Sequence, residues 1–187
     1  MKIAITGHTA GIGRAFTKAL VGRGHEIIGI SRRDGENIRR VPHTASLIEP
    51  CDLFINNAQT AYAQTELLYE TWKRWQGQKK YIWNISTMMA REPVNGTPDG
   101  QDDLIMSQYH NQKNALEEAS RQLQHKSAWP KISIIRPGGV ATQDKYDNSD
   151  KCDVNEWVAH VIATFSHSNN HHIAELSIGY TNKRIPI

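Results

Sequence analysis

Tyr109 and Lys113 stand four residues apart in the stretch "SQYHNQKNAL", at the start of a run with helical character. Residues at i and i+4 share one helix face, so the phenol and the ammonium can be neighbours. A phenol whose pKa stays near its ordinary value of about 10 is a poor proton relay at neutral pH, and a nearby ammonium favours the phenolate and lowers that value. The pair fits an acid/base centre, and it also fits an ordinary helix surface. Upstream, "NIST" places Ser86 and Thr87 at the end of an apolar run. Side chains of successive strand residues point to opposite faces, so only one of these hydroxyls can face a substrate beside the phenol.

A second constellation lies near the beginning of the chain. "TGHTAGIG", Thr6 to Gly13, follows an apolar run and opens a helical one. Glycine is required where the backbone turns tightly or lets another group approach without a Cβ in the way. The free N–H groups and dipole at a helix N-terminus attract a pyrophosphate. Between a strand and a helix, in the first βαβ unit, such a turn points to a dinucleotide. The end of the second strand bears on which one. An acid there holds the ribose 2′-hydroxyl of NAD, whereas arginine accommodates the 2′-phosphate of NADP. The chain reads "IGISRRD", with Ser31 at the acid's place and Arg32 and Arg33 next. That favours NADP(H) over NAD(H), although two arginines can also form a solvated loop and Asp34 can neutralise one of them.

The elements that must hold these groups alternate. "KIAIT", "EIIGIS", "DLFINNA", "KKYIWNIS", "KISIIRPGG" and "IAELSIGY" read as strands. Between them, "RAFTKALVGRGH", "TELLYETWKRWQ", the run from Tyr109 to about Lys126 and "VNEWVAHVIATF" have helical periodicity. Apolar runs alternating with helices predict a parallel sheet covered on both faces, a Rossmann-like doubly wound α/β/α fold in one domain over residues 1–187. The segment from Asp34 to Pro50 is too short for a full helix–strand–helix passage, so one crossover there is abbreviated.

Composition narrows the class. The chain has 187 residues, 22% charged and 39% hydrophobic, as in an ordinary globular protein. A mean hydropathy of −0.57 and the lack of a long apolar run argue against a membrane span. The N-terminus has neither a signal peptide's apolar core nor an Arg-rich transit pattern, so a cytoplasmic location is expected. Two cysteines, Cys51 and Cys152, form no CxxC pair and indicate neither a zinc site nor a disulfide framework. His171 and His172 read as solvated loop residues, and no metal is expected. A net charge of +3, not massed in one block, does not imply nucleic acid.

Taken together and in order, these motifs resemble the short-chain dehydrogenase/reductase family over residues 1 to about 142. Gly7, Gly11 and Gly13 resemble its TGxxxGxG turn, with Thr9 and Ile12 between them. Asn56-Asn57-Ala58 resembles NNAG, "NIST" the strand end bearing the catalytic hydroxyl, Tyr109 and Lys113 the YxxxK pair, and "RPGGVAT" the PGxxxT turn. The resemblance implies a carbonyl reductase or alcohol dehydrogenase acting by hydride transfer from a nicotinamide cofactor. Tyr109 would be its acid/base, with Lys113 lowering the phenol pKa and bonding the nicotinamide ribose. The second hydroxyl, Thr87, is weighted above Ser86 as the group that steadies the substrate oxygen. Cofactor contacts would come from Gly7, Thr9, Gly11, Ile12, Gly13, Ser31, Arg32, Arg33, Asn57, Ala58, Lys113, Pro137, Gly138, Val140 and Thr142. Thr142 could also serve as a helix N-cap.

The pattern breaks in places. Gln59 replaces the last Gly of NNAG, and no Asp matches the family's adenine contact. Many members hold a relay water with an Asn from the helix after NNAG, yet no Asn occurs between Thr60 and Tyr81. Either the relay is rebuilt, with Gln64 or a water alone, or turnover is slow. Thr87 and Tyr109 stand 22 positions apart, with the turn-rich "REPVNGTPDGQDD" between them as a candidate pocket wall. "QDKYDNSDKCD" is short for a substrate lid. Leu68, Trp72 and Trp75 form a helical stripe that packs on the sheet or, as the family implies, joins a homodimer or homotetramer. Two other readings stay open: a non-catalytic dinucleotide sensor, and a nucleotide-sugar epimerase or dehydratase of the same fold.

Overall fold

A computed structural model of the chain describes residues 1–91, 103–142, 151–168 and 171–179. Six strands form one parallel sheet. They are β1 (Lys2–Thr6), β2 (Glu26–Ile30), β3 (Leu53–Asn56), β4 (Tyr81–Ile85), β5 (Lys131–Pro137) and β8 (Glu175–Ile178), in the spatial order β2-β1-β3-β4-β5-β8. The central strands are apolar almost throughout because both of their faces are covered: β3 is buried at every position and β1 at all but its first. A short parallel ladder, β6 (Val140–Ala141) with β7 (Cys152–Asp153), lies beyond the end of β5 and was not expected from the sequence.

Helix α1 (Gly11–Val21) places Ile12, Ala15, Phe16, Ala19 and Leu20 at helical spacing on one stripe, and ends in a turn where Gly24 takes φ +78°. With α5 (Val154–His167), it covers one face of the sheet. There Phe16, Trp83, Trp157 and Phe165 fill the space, with the Trp83 and Phe165 rings 4.2 Å apart. The opposite face carries α2 (Val41–Ile48), α3 (Ala63–Trp75) and α4 (Asp103–Lys126). Strand β4 shows how the pleat divides its residues. Ile82 and Asn84 face α3 and α4, whereas Trp83 and Ile85 face α1 and α5.

The abbreviated crossover is present. After β2 the chain makes one 3₁₀ turn, Arg32–Asp34, then α2, and enters β3 directly beside β1. No further strand is inserted, so β2 is an edge of the sheet. On α3, Leu68 and Trp75 are fully buried, Trp75 donates its indole N–H to Glu49 O at 3.2 Å, and Trp72 is half-buried. The stripe therefore packs inward. Among the described residues, no helix is long and apolar enough to cross a membrane. Residues 92–102 and 143–150, which hold most of the candidate pocket wall and lid, lie outside the described residues.

Candidate active site

The glycine-rich turn joins the carboxyl end of β1 to α1. Gly7 takes φ +71° and Gly11 φ +50°, conformations that disfavour side chains. A Cβ at Gly13 would collide with the Gly7 carbonyl, so only glycine allows this close crossing. Ala10, at the N-cap, offers no side-chain cap, and the first turn of α1 carries no acid. Its first N–H groups are therefore left for an outside acceptor. Thr9 and Ile12 lie within the same turn. This is a cradle that fits a pyrophosphate.

Asn57 and Ala58 are drawn against this turn by a residue not singled out from the sequence. The buried Thr6 Oγ1 accepts from Asn57 N at 2.9 Å and Ala58 N at 3.0 Å, while Asn57 Nδ2 donates to Thr6 O at 2.9 Å. The signal available was a hydroxyl residue at the last position of an apolar strand. On the far side, Thr142 approaches Gly11, since a Cβ there would lie 3.4 Å from Thr142 Cβ. The cap of α5 is Asp153, not Thr142. Pro137 ends β5, Gly138 N donates to Ile178 O at 2.9 Å, and Val140 begins β6. The Gly-rich, NNA and PGxxxT segments therefore converge at the carboxyl end of the sheet.

At the end of β2, Ser31 is buried, and its hydroxyl donates to Asp34 Oδ2 at 2.7 Å. His8 Nε2 stands 3.4 Å from the same carboxylate, with its imidazole over Gly29, where any Cβ would collide with the ring. Arg32 and Arg33 are exposed, and neither pairs with a carboxylate among the described residues. Asp34 thus turns to Ser31 and His8 rather than to an arginine.

Tyr109 is half-buried near the start of α4, with the Thr87 hydroxyl close enough to its phenol to act on its pKa. Burial raises its pKa above the ordinary phenol value, contrary to the lowering expected from Lys113, and of its neighbours only the Thr87 hydroxyl acts in the opposite direction. Met89 N donates to Thr87 Oγ1 at 3.3 Å, which steadies the hydroxyl from the backbone. Ser86 is turned the other way. It is 2% exposed and donates to Glu117 Oε1 at 2.7 Å. Of the two hydroxyls, only Thr87 accompanies the phenol.

Lys113 is 3% exposed. Its Nζ donates to Gln64 Oε1 at 2.9 Å and to Ile85 O at 2.8 Å, and lies 5.7 Å from the centre of the Tyr109 ring. Burial lowers its pKa to about 7, against the pull of Glu117 one turn along α4. Gln64 is itself buried, with Nε2 donating to Asn56 O at 2.6 Å and Ile85 O at 3.1 Å. A helix glutamine thus holds the lysine directly. Gln59, the departure from NNAG, bonds Gln112 on α4 and ties this loop to the helix bearing Tyr109.

Behind these groups is a polar layer that the sequence reading missed. Arg136 and Glu117 form a buried bidentate pair at 2.7 Å for both bonds, joined by Glu175 and Arg121. Burial pushes the Glu117 carboxyl up, but Arg136, the Ser86 hydroxyl and Arg121 together hold it below its ordinary pKa. Arg136 sits in the apolar run "KISIIRP", where a charge has to be paired, and Glu117 lies four residues from Lys113; both were legible signals. Nearby, Asn56 donates to Asn84, and Asn84 to Ser120, at 2.9 Å each.

Comparison with solved structures decides the fold. A short-chain dehydrogenase from Burkholderia cenocepacia, in complex with NADP, superposes with a TM-score of 0.76 at 18% identity, over 96% of this chain and 88% of that one. An alcohol dehydrogenase from the archaeon Thermococcus sibiricus, complexed with 5-hydroxy-NADP, matches at TM-score 0.71 and 15% identity over 100% and 99% of the two chains. The chain has the short-chain dehydrogenase/reductase fold. A 3-alpha-hydroxysteroid dehydrogenase from Pseudomonas sp., complexed with NADH, shares that fold at TM-score 0.70 and 20% identity, over 96% and 95%. No family model matches the sequence, and no curated protein matches it. Within the short-chain dehydrogenase/reductase fold, the Gly-rich turn, Thr87, Tyr109 and Lys113 all lie at the carboxyl side of the sheet, where ligands of open α/β sheets bind.

Proposed function

We propose that this chain is an NADP(H)-dependent oxidoreductase of the short-chain dehydrogenase/reductase family, reducing a small carbonyl compound or oxidising the corresponding alcohol. The observation that carries this reading is the Tyr109–Thr87 hydroxyl pair one helical turn from a dry, hydrogen-bonded Lys113. The turn from Gly7 to Gly13 would hold the pyrophosphate, with Asn57, Ala58 and the segment from Pro137 to Thr142 around it. The cofactor, when bound, supplies the hydride.

The chain's own residues handle the oxygen and the proton. Thr87 hydrogen-bonds the substrate oxygen and keeps its own proton, while Tyr109 transfers to that oxygen the single proton it needs to become an alcohol. Lys113, when charged, favours the phenolate left behind. Gln64 keeps the ammonium aimed and excludes the need for a water at its Nζ. That direct contact orients Lys113 without the water-holding asparagine, and supports the enzyme reading over a non-catalytic sensor.

Exposed Arg32 and Arg33 support a preference for the 2′-phosphate, with the Asp34 carboxylate engaged by Ser31 and His8. We also propose a homodimer or homotetramer, supported by Tyr62, Tyr69, Leu104 and Ile105, which are 45–63% exposed on and beside α3 and α4; light scattering on the purified chain tests it.

The deciding experiment titrates the purified protein with NADPH and NADH by nicotinamide fluorescence, then follows NADPH oxidation with a panel of small aldehydes and ketones. Saturable binding with NADPH ahead, and turnover lost in Tyr109→Phe, is the expected result. Binding of neither nucleotide overturns the proposal.

A further inference from the structure

At the amino end of the sheet, away from the candidate active site, lies a cavity of about 540 Å3. It arises because, among the described residues, α1 and α5 are the helices that cover this face, and both end here, at Val21 and His167. Its floor is made by Ile3, Leu53 and Trp83 from three adjacent strands, and its walls by Leu20, Ile162 and Phe165 from the two helices. Its size falls within the range of small-molecule pockets, roughly 300–1,000 Å3. Keeping such apolar walls wet forfeits burial on the order of 25 cal/mol per Å2.

The rim has one sign of charge. Arg23, at the exit of α1, and Lys131, at the start of β5, are cations with no carboxylate partner among the described residues; Lys131 instead lies 5.4 Å over the Trp129 ring. His25, His171 and His172 complete the rim, and no Asp or Glu lines the cavity. The nearest acids along the strand ends are engaged elsewhere: Glu26 with Lys2 Nζ at 3.1 Å, and Asp52 with Lys2 N at 2.8 Å. Two of the carbonyls at these helix ends are already hydrogen-bonded. Leu20 O accepts from Arg23 N and His25 N, and Phe165 O from Ser168 N and its hydroxyl.

We propose that this cavity is a second ligand site, for an amphipathic carboxylate. The acyl chain would lie against Trp83 and Phe165, and the head would meet Arg23 and Lys131. Trp83 lies within β4 and Thr87 two residues beyond its carboxyl end, about 13 Å apart if the chain is extended, so the ligand would not enter the catalytic pocket.

The test is calorimetric titration with decanoate below its micellar range, alongside decyltrimethylammonium. The expected result is saturable one-to-one binding of decanoate only. The Arg23→Ala/Lys131→Ala double variant should bind at least tenfold more weakly. Ser166→Phe, from the exposed side of α5 into the cavity, should abolish binding while far-UV dichroism and NADPH affinity stay unchanged. NADPH should not displace decanoate. Absence of saturation, equal binding of the cationic amphiphile, full affinity in the double variant, or displacement by NADPH would each overturn the site.

Discussion

On the α3–α4 side of β4, Asn84 joins a layer of buried amides and charges; on the α1–α5 side of the same strand, Trp83 packs among rings and aliphatic groups. The polar layer contains Gln64, Lys113, Glu117, Ser120 and Arg136, all nearly inaccessible to water. Each of its bonds has a direction, and together they fix where the Lys113 ammonium points. Apolar contact has no such direction, and the aromatic face contributes cohesion instead. One side of the sheet therefore aims the candidate chemistry, and the other holds the strands that carry it.

This division can be broken first at Tyr109. Tyr109→Phe should reduce hydride transfer by about 10²–10⁴-fold with cofactor affinity nearly intact, measured by single-turnover NADPH oxidation. Trp157→Ala, on the aromatic face, should do the reverse. It should cost about 3–5 kcal/mol of unfolding free energy in urea, with turnover per folded molecule unchanged. Comparable kinetic loss in both variants would erase the contrast between the faces.

Gln64→Leu sharpens it. Removing the carbonyl leaves the buried ammonium without its side-chain acceptor, a cost of about 1–3 kcal/mol or more, so kcat should fall about ten- to a hundredfold. The pH limb assigned to Lys113 should also move to lower pH, which a merely structural glutamine would not cause. Lys113 makes activity and stability oppose one another. Its folded pKa of about 7 lies below the ordinary value of 10.5, so the unfolded chain binds the extra proton between these pH values. Wild-type stability relative to Lys113→Met should therefore rise from pH 7 towards 10, by denaturant titration, while carbonyl reduction declines above about pH 7. The smallest effect is expected from Arg32→Ala, about tenfold weaker NADPH binding with NADH little changed. An equal effect on both nucleotides would remove the 2′-phosphate assignment.

The order of strands and helices was legible because each carries its own period, and the shortened passage from Asp34 to Pro50 could be recognised by length alone. Tyr109, Lys113 and the glycine turn were legible by spacing. What local pattern could not decide was orientation across distance. Ser86 and Thr87 are equivalent in the chain, and only the partner positions, Glu117 for one and Tyr109 for the other, separate them. Gln64 stands 49 residues from Lys113, and Arg136 stands 19 from Glu117, so their pairing exists only once β4, β5 and α4 are side by side. Adjacency left it open whether Asp34 neutralises an arginine, and the 3₁₀ turn brings it back onto Ser31 instead.

Among the described residues no strand lies outside β2, and this sets how a nucleotide would be held. The ribose recognised at the end of β2 would lie on the outermost strand of the sheet, with no neighbour beyond it to form a second wall. The adenosine half would then be gripped from one side while the pyrophosphate and nicotinamide halves are enclosed by the central strands. A nucleotide held this way leaves by peeling from its adenosine end. The expected signature is short residence, with free exchange between oxidised and reduced forms from one turnover to the next.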